Sequence, residues 1–484
     1  MHLLIQFDYF SNPVSYDVSE IVSTSESELE LMAYERVIQP GEPQRRHTAE
    51  KVPLIKPTSF LQEPLDKRYG VFLIFGYLGL SSLLPWNFFI TAKKYFDYKF
   101  RNTSLPSNVS FDDDVHTVQM QKDFESYLAI VSNGSNLLFM ILTVLLVRKI
   151  SVKVRVVSST LLIVVIFVVT CSLTEVNTDT WQNGFFIFTL VMATFMSGCQ
   201  SVLTGSVLGL SAVFPPIYSQ STMIGQAAGG TFSALCSILT HATGGDPITS
   251  GLIYFLIATV VTILSLVAFL GLHFMEFSRY YMVSLISDVN KINEELVSHD
   301  TINVKRFFHV ILKKTWMYCL SVCLVFLVTL SVFPAVCSLI KSEGTEKNSW
   351  TDTYFTPVGC FLLFNVWDFL GRLFTFICKF PGSQRPGLLL FFTVLRIGFI
   401  PLLMLCNVQP REHLPVYLKN DAYPMVLISL LGLTNGYFGT LCMTFGPLNA
   451  EDEHLEGTGI VLALAMTIGL AGGSALSFLF VNLI

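Results

Sequence analysis

From about residue 70 to its last residue the chain alternates long apolar runs with short polar breaks; before that it has no sustained apolar period. A helix needs about 20 mostly apolar residues to cross the hydrocarbon core of a bilayer. Eleven runs reach that length: 70–92, 125–147, 155–174, 183–208, 219–241, 250–274, 315–340, 353–378, 386–407, 422–446 and 457–483, of which 219–241 is the least apolar. The pattern predicts an all-α polytopic membrane protein. Residues 1–69, rich in Ser, Glu, Pro and Gln, read as a disordered cytosolic tail. The opening Leu3-Leu4-Ile5 is too short for a signal peptide, so the first span is expected to act as the membrane signal and stay in the protein.

The break at 276–314 divides the spans into six and five, giving an N-terminal bundle over 70–275 and a C-terminal bundle over 315–484. Two packed halves with a site between them are the expected arrangement. Basic residues orient the chain. Arg148, Lys149, Lys153 and Arg155 follow the second span, and Arg279, Lys291, Lys305, Arg306, Lys313 and Lys314 follow the sixth. The breaks after spans three and five carry none, which puts the N-terminus in the cytosol and the C-terminus outside or in a lumen. Residues 93–123 run against this rule with Lys93, Lys94, Lys99, Arg101 and Lys122 on the outer side, beside the acidic run Asp112-Asp113-Asp114. The same stretch holds two glycosylation sequons, at Asn102 and Asn108. A third, at Asn133, falls inside the second span and should stay unmodified.

Composition narrows the function classes. Charged residues make up 13% of the 484, against about 25% in soluble domains, and 52% are apolar. Mean hydropathy is +0.58. A net charge of −5 offers no basic patch for nucleic acid. The ten cysteines lie in or at the ends of apolar stretches and read as core residues, neither a disulfide framework nor a metal cluster. No GxxxxGK[ST], HExxH or GxSxG occurs, so neither an enzyme nor an ATP-driven pump is expected, and no cofactor or metal.

Charges within spans mark candidate sites, because lipid penalises them. Asp368 and Arg372 lie four apart on one helical face, and Arg396 sits in the next span. Counting about 1.5 Å per residue puts Asp368 and Arg396 each ~15 Å deep, where one acid could hold two arginines or alternate between them as a gate. A structural salt bridge and a solute-binding pair both fit. Asn365 and Phe361, successive turns before Asp368, extend the polar face and favour the second. In the first span Trp86 and Asn87 follow Pro85, where an indole beside an amide could stack on and hydrogen-bond a planar heterocycle. Asn133 and Asn136, Thr204, Gln226 and Asn435 are further polar residues at membrane depth, equally able to glue helices together. Gly205/Gly209, Gly225/Gly229 and Gly469/Gly473, each four apart, read as helix contacts.

The run Gly79-Leu80-Ser81-Ser82-Leu83-Leu84-Pro85-Trp86-Asn87-Phe88-Phe89-Ile90-Thr91-Ala92 resembles the first-helix signature of equilibrative nucleoside transporters. Phe364-Asn365-Val366-Trp367-Asp368-Phe369-Leu370-Gly371-Arg372 resembles their eighth helix, and Phe333-Pro334-Ala335-Val336, Arg279-Tyr280-Tyr281 and Asn435-Gly436-Tyr437 extend the likeness to the C-terminus. The resemblance implies facilitated passage of nucleosides such as adenosine and uridine, and of nucleobases, through a rocking bundle related to the major facilitator fold. It implies Leu83 and Trp86 beside the base, Phe333 and Phe361 lining the cavity, and Asp368 and Arg372 addressing the ribose. Thr204 stands where plasma-membrane members have Gln, and Asn133 and Asn136 where they are apolar. These departures, the tail, and Phe124-Glu125-Ser126-Tyr127-Leu128-Ala129 look most like the lysosomal branch.

The tail adds an acidic dileucine pattern, Glu50 four residues before Leu54-Ile55, of the kind a clathrin adaptor reads. In an acid lumen His116, His241, His413 and Glu125 would be on the side where protons vary. The expected function is therefore nucleoside export from late endosomes or lysosomes, with protons as a further ligand and the plasma membrane as the alternative location. The rival readings are an organic cation or monoamine facilitator, and a membrane receptor or scaffold.

Overall fold

The computed structural model describes residues 64–103, 119–243, 246–282, 302–344, 350–411, 413 and 415–484. The sorting pattern at Glu50, Leu54 and Ile55, and the sequon at Asn108, lie outside them. Every one of the eleven predicted spans contains helix: α1 (Gly70–Thr91), α2 (Gln119–Leu146), α3 (Val152–Thr174), α4 (Gln182–Val213), α5 (Pro216–Thr243), α6 (Pro247–Leu272), α7 (Ile302–Val332), α8 (Leu363–Ile377), α9 (Pro386–Leu395), α10 (Ala422–Leu448) and α11 (Leu455–Leu483). Among the described residues ten helical stretches are long and apolar enough to cross a membrane; α5, from the least apolar run, is not among them, although it has 28 residues.

Local chemistry sets the helix starts. Pro216, Pro247 and Pro386 open α5, α6 and α9, where a missing N–H costs nothing. Asp246 caps α6 by accepting from the Thr249 N–H at 3.1 Å. Asp66 accepts from the Val71 and Phe72 N–H groups at 3.0 and 3.1 Å and from the Tyr218 hydroxyl of α5 at 3.1 Å, so the order begins before residue 70.

The expected spans need three corrections. Helix extends into the 276–314 break from both sides, over 276–282 and again from Ile302. The eighth span is not one uniform α-helix: Trp350–Leu362 winds as a wider π-helix around Pro357 before α8 begins. Pro357 has no N–H to give the carbonyl four residues back, and the wider turn accommodates that loss. The ninth span is broken at Arg396–Gly398 by a 3₁₀ turn before helix resumes over Phe399–Met404.

Packing is that of a protein dissolved in lipid. Val154, Leu161, Val165 and Val168 on α3, and Ile253, Leu256, Val260 and Val267 on α6, face outward. The interior of α4 is small and polar instead, with Ser197, Gly198, Ser201, Thr204, Gly205, Ser206 and Gly209 buried. α1 packs along α5, α7 along α11 and α8 along α10. The N- and C-terminal sets of helices meet along two seams, α5 against α8 and α10, and α2 and α4 against α11.

The three glycine pairs sit at contacts, as expected. Gly205 and Gly209 face Met140 and Ile460, Gly225 and Gly229 face the Gly76 and Leu80 carbonyls of α1, and Gly469 and Gly473 face the Cys323 and Leu327 carbonyls of α7. At Gly225 even a methyl group would overlap the Gly76 carbonyl, whereas nothing lies within 4 Å of one placed at Gly271. Gly225→Val should therefore cost about 2 kcal/mol or more through overpacking, seen as a lower melting temperature of the detergent-purified protein. Gly271→Ala should leave that temperature unchanged.

Candidate functional site

Two of the charges within the spans, Asp368 and Arg372, meet where α8, α10 and α5 converge. Arg372 Nε donates to Asp368 Oδ2 at 3.0 Å across one turn of α8. Its Nη1 donates to the main-chain carbonyl of Met223, on α5, at 2.7 Å. Asn435 Nδ2, on α10, donates to Asp368 Oδ1 at 2.7 Å. Asp368 and Arg372 are 5% and 4% exposed. Asn435 reaches the carboxylate because Gly436, beside it, carries no side chain: a Cβ there would strike the Asp368 carbonyl. The result is a carboxylate held by two donors with lone pairs to spare, beside a guanidinium whose Nη2 has no acceptor among the described residues.

Arg396 makes no hydrogen bond to Asp368, although the carboxylate acts on it electrostatically. It donates from Nη1 to the Val325 carbonyl at 2.7 Å, from Nη2 to Thr329 Oγ1 at 2.8 Å and the Leu431 carbonyl at 3.3 Å, and from Nε to Thr434 Oγ1 at 3.0 Å. The expected sharing of one acid between two arginines fails because α7 and α10 answer Arg396 with carbonyls and hydroxyls before it reaches the carboxylate.

Around this centre the other expected residues divide into two groups. In the C-terminal helices, Phe333 stacks on Phe364 with ring centroids 3.9 Å apart and meets Phe361 edge-on at 5.8 Å. The Asn365 amide turns back to the Phe361 carbonyl at 2.8 Å, while its own carbonyl accepts from Thr231 of α5 at 3.2 Å. In the N-terminal helices the organiser is Ser82, which the sequence reading passed over. Its carbonyl accepts from Thr204 at 3.3 Å, and its hydroxyl oxygen accepts from Gln226 Nε2 at 3.5 Å. One turn later, half-buried Trp86 lies parallel to Phe89 at 6.5 Å. Leu83, Asn87, Asn133 and Asn136 are also half-buried. Buried Ser132, Ser197 and Gln200 each keep a side-chain oxygen without a hydrogen bond. The helical register places them near Asn133 and Asn136, and only the α2–α4 contact links them, so sequence spacing alone carried no signal.

A second ion pair was also missed. Arg155 of α3 bonds Glu456 at the start of α11, joining the two sets of helices, and both are largely buried. Arg155 Nε and Nη1 have no acceptor among the described residues, so the pair is incompletely satisfied there. The two residues are 301 apart in sequence. On the surface beside it Lys314 pairs with Glu451 at 2.9 Å, and that hydrogen bond holds the Glu451 carboxyl below the usual carboxylate range.

Comparison with known proteins decides the family. A family model described as nucleoside transporter matches residues 190–482. The chain is 37% identical to equilibrative nucleoside transporter 3 of Rattus norvegicus over 462 residues, which cover 91% of this chain and 96% of that one. It is 32% identical to equilibrative nucleoside transporter 1 of Homo sapiens, with 86% and 98% covered. The chain belongs to the equilibrative nucleoside transporter family. Within that family it is most like the branch of transporter 3. Among solved structures it resembles a major facilitator proton:xylose symporter, with a TM-score of 0.55, 11% identity, and 85% of this chain and 88% of that one covered. That likeness shows a major-facilitator-type fold. Membership of a family of transporters also places the protein outside the enzymes.

Removing one partner of a buried ion pair leaves the other charge unanswered, at a cost of about 3–5 kcal/mol. Arg155→Ala and Glu456→Ala should each lower the melting temperature sharply. The double variant Arg155→Met/Glu456→Leu should recover most of the loss, and additive losses in the double variant would show that the two side chains act separately.

Proposed function

We propose that this protein carries nucleosides, adenosine and uridine among them, across a membrane by alternating access between a six-helix and a five-helix half. The observation that carries the reading is the Asp368–Arg372 pair at the α5–α8 seam, with hydrogen-bonding capacity left over on both members. Asp368 would accept from the ribose hydroxyls and Arg372 would donate to them. Leu83, Trp86, Phe333 and Phe361 would enclose the base, with Asn87, Asn133, Asn136, Thr204, Gln226 and Asn365 as polar contacts. Nucleobases, which lack the ribose, would use only the latter groups. Opening of the seam would break the bond from Arg372 to the Met223 carbonyl, and a sugar oxygen could take its place. The Arg155–Glu456 pair would close the cytosolic end in the state described.

The orientation with N-terminus in the cytosol and C-terminus in the lumen gains support from the basic outer stretch. Lys93 pairs with Asp97 at 3.8 Å and Arg101 with Asp179 at 3.1 Å, while Lys99 donates to the Val176 carbonyl at 2.7 Å. Burial pushes the Lys99 ammonium below its usual range. These charges are answered within the protein and do not need the cytosol. Asn102 is exposed beside them, as a glycosylated residue must be. Export from late endosomes or lysosomes, sorting through Glu50, Leu54 and Ile55 by a clathrin adaptor, and a response to luminal protons complete the proposal.

Radiolabelled adenosine and uridine uptake into proteoliposomes at external pH 5.5 and 7.4 tests it. Saturable uptake, greater at pH 5.5 and reduced at least about tenfold in Asp368→Asn through loss of a charge-assisted contact, is the expected outcome. Equal uptake by the variant would reduce Asp368 to a structural residue. Equal uptake at the two pH values would remove the proton response alone.

A further inference from the structure

Arg396 is buried to 2% exposure in the C-terminal half with no carboxylate in hydrogen-bonding contact among the described residues, although the Asp368 charge still acts on it from farther off. A buried charge costs more than an apolar side chain of similar size, so packing alone does not account for it. Counting donors does. Thr329 has a single hydroxyl proton and two acceptors within reach, the Val325 carbonyl at 2.9 Å and Asn435 Oδ1 at 2.8 Å. Arg396 already gives the Val325 carbonyl a proton and donates a second to the Thr329 oxygen. The Val325 carbonyl is thus already served, whereas Asn435 Oδ1 has no other donor among the described residues, so the hydroxyl proton belongs on Asn435 Oδ1. That bond decides which end of the Asn435 amide is which, so Nδ2 meets Asp368 Oδ1. A reversed amide would set its oxygen against the carboxylate.

The geometry points to Arg396 and Thr329 as positioning residues for the nucleoside site. Through Asn435 they hold the Asp368 carboxylate with one oxygen on the amide and the other on Arg372, leaving its remaining lone pairs for sugar hydroxyls. The inference rests on the reading of Asp368 as the ribose-binding group. Neither Arg396 nor Thr329 touches the carboxylate itself; their effect passes through one amide.

The test is equilibrium binding of radiolabelled adenosine and of 2′,3′-dideoxyadenosine, which lacks both ribose hydroxyls, to the purified full-length protein. Thr329→Val removes the hydroxyl at nearly constant shape. It should weaken adenosine about tenfold, the scale of a hydrogen bond to a charged group, and leave dideoxyadenosine within about twofold. Thr329→Ser should restore adenosine. Arg396→Lys keeps the charge but cannot serve Val325, Thr329 and Thr434 together, and should show the same selective loss. Equal weakening of both ligands, or of neither, overturns the relay. If the wild type binds both ligands alike, the ribose reading of Asp368 fails separately. The relay then survives only if the effect of Thr329→Val disappears in an Asp368→Asn background, and two effects that multiply would overturn it.

Discussion

Hydrocarbon offers a charge no hydrogen bonds, so every ionised group inside this bundle has to find its solvent in the protein. Arg155, Asp368, Arg372 and Arg396 are each at most 5% exposed, and each is answered in a different way. Arg155 has a carboxylate from a distant helix. Asp368 has a guanidinium and an amide. Arg372 shares itself between that carboxylate and a carbonyl of α5, and Arg396 takes its hydrogen bonds from carbonyls and hydroxyls. The helices must approach closely enough for these partners to meet, and the small residues along α4, α5, α10 and α11 are what permit it.

The same constraint explains why helix packing and the buried polar centre meet in one place. α8 and α10 touch backbone to backbone at Gly436, and only at that separation can Asn435 reach Asp368. A contact made for packing therefore sets the geometry of the polar centre. Along the α5–α8 seam, Met223 and Thr231 are both engaged by α8, through Arg372 and Asn365 respectively.

Much of this was legible in the sequence, and for a physical reason. Hydropathy reports solvent directly, so helices emerged in every run, most within a few residues of their expected ends; α7, which starts early at Ile302 and ends at Val332, and the altered eighth and ninth runs depart further. The Asp368–Arg372 pair was readable because helical spacing alone brings residues four apart together. Partners far apart in sequence were not: Ser82 with Thr204 and Gln226, Thr329 with Asn435, and Arg155 with Glu456 come together only through helix packing. Arg396 hydrogen-bonds α7 and α10 and not Asp368, which could not be read because counting residues gives depth along a span but not azimuth around the helix. Pro357 was visible, but the sequence does not say whether proline kinks a helix or widens it.

The bond from Arg372 across the seam ends on the main chain of Met223. A backbone carbonyl is present whatever residue occupies position 223, so no substitution there can delete the acceptor. The two sets of helices are thus joined by a short bond whose oxygen acceptor cannot be mutated away, with the Met223 sulfur as a longer second contact. Paired substitutions across α5 and α8, the trace that a side-chain-to-side-chain latch would leave in descendants of this gene, have no reason to accumulate at that bond. Arg372 would bear most of the burden of preserving that bond, while fully buried residue 223 answers to the packing around it and to the 3.9 Å contact its sulfur makes with the same nitrogen.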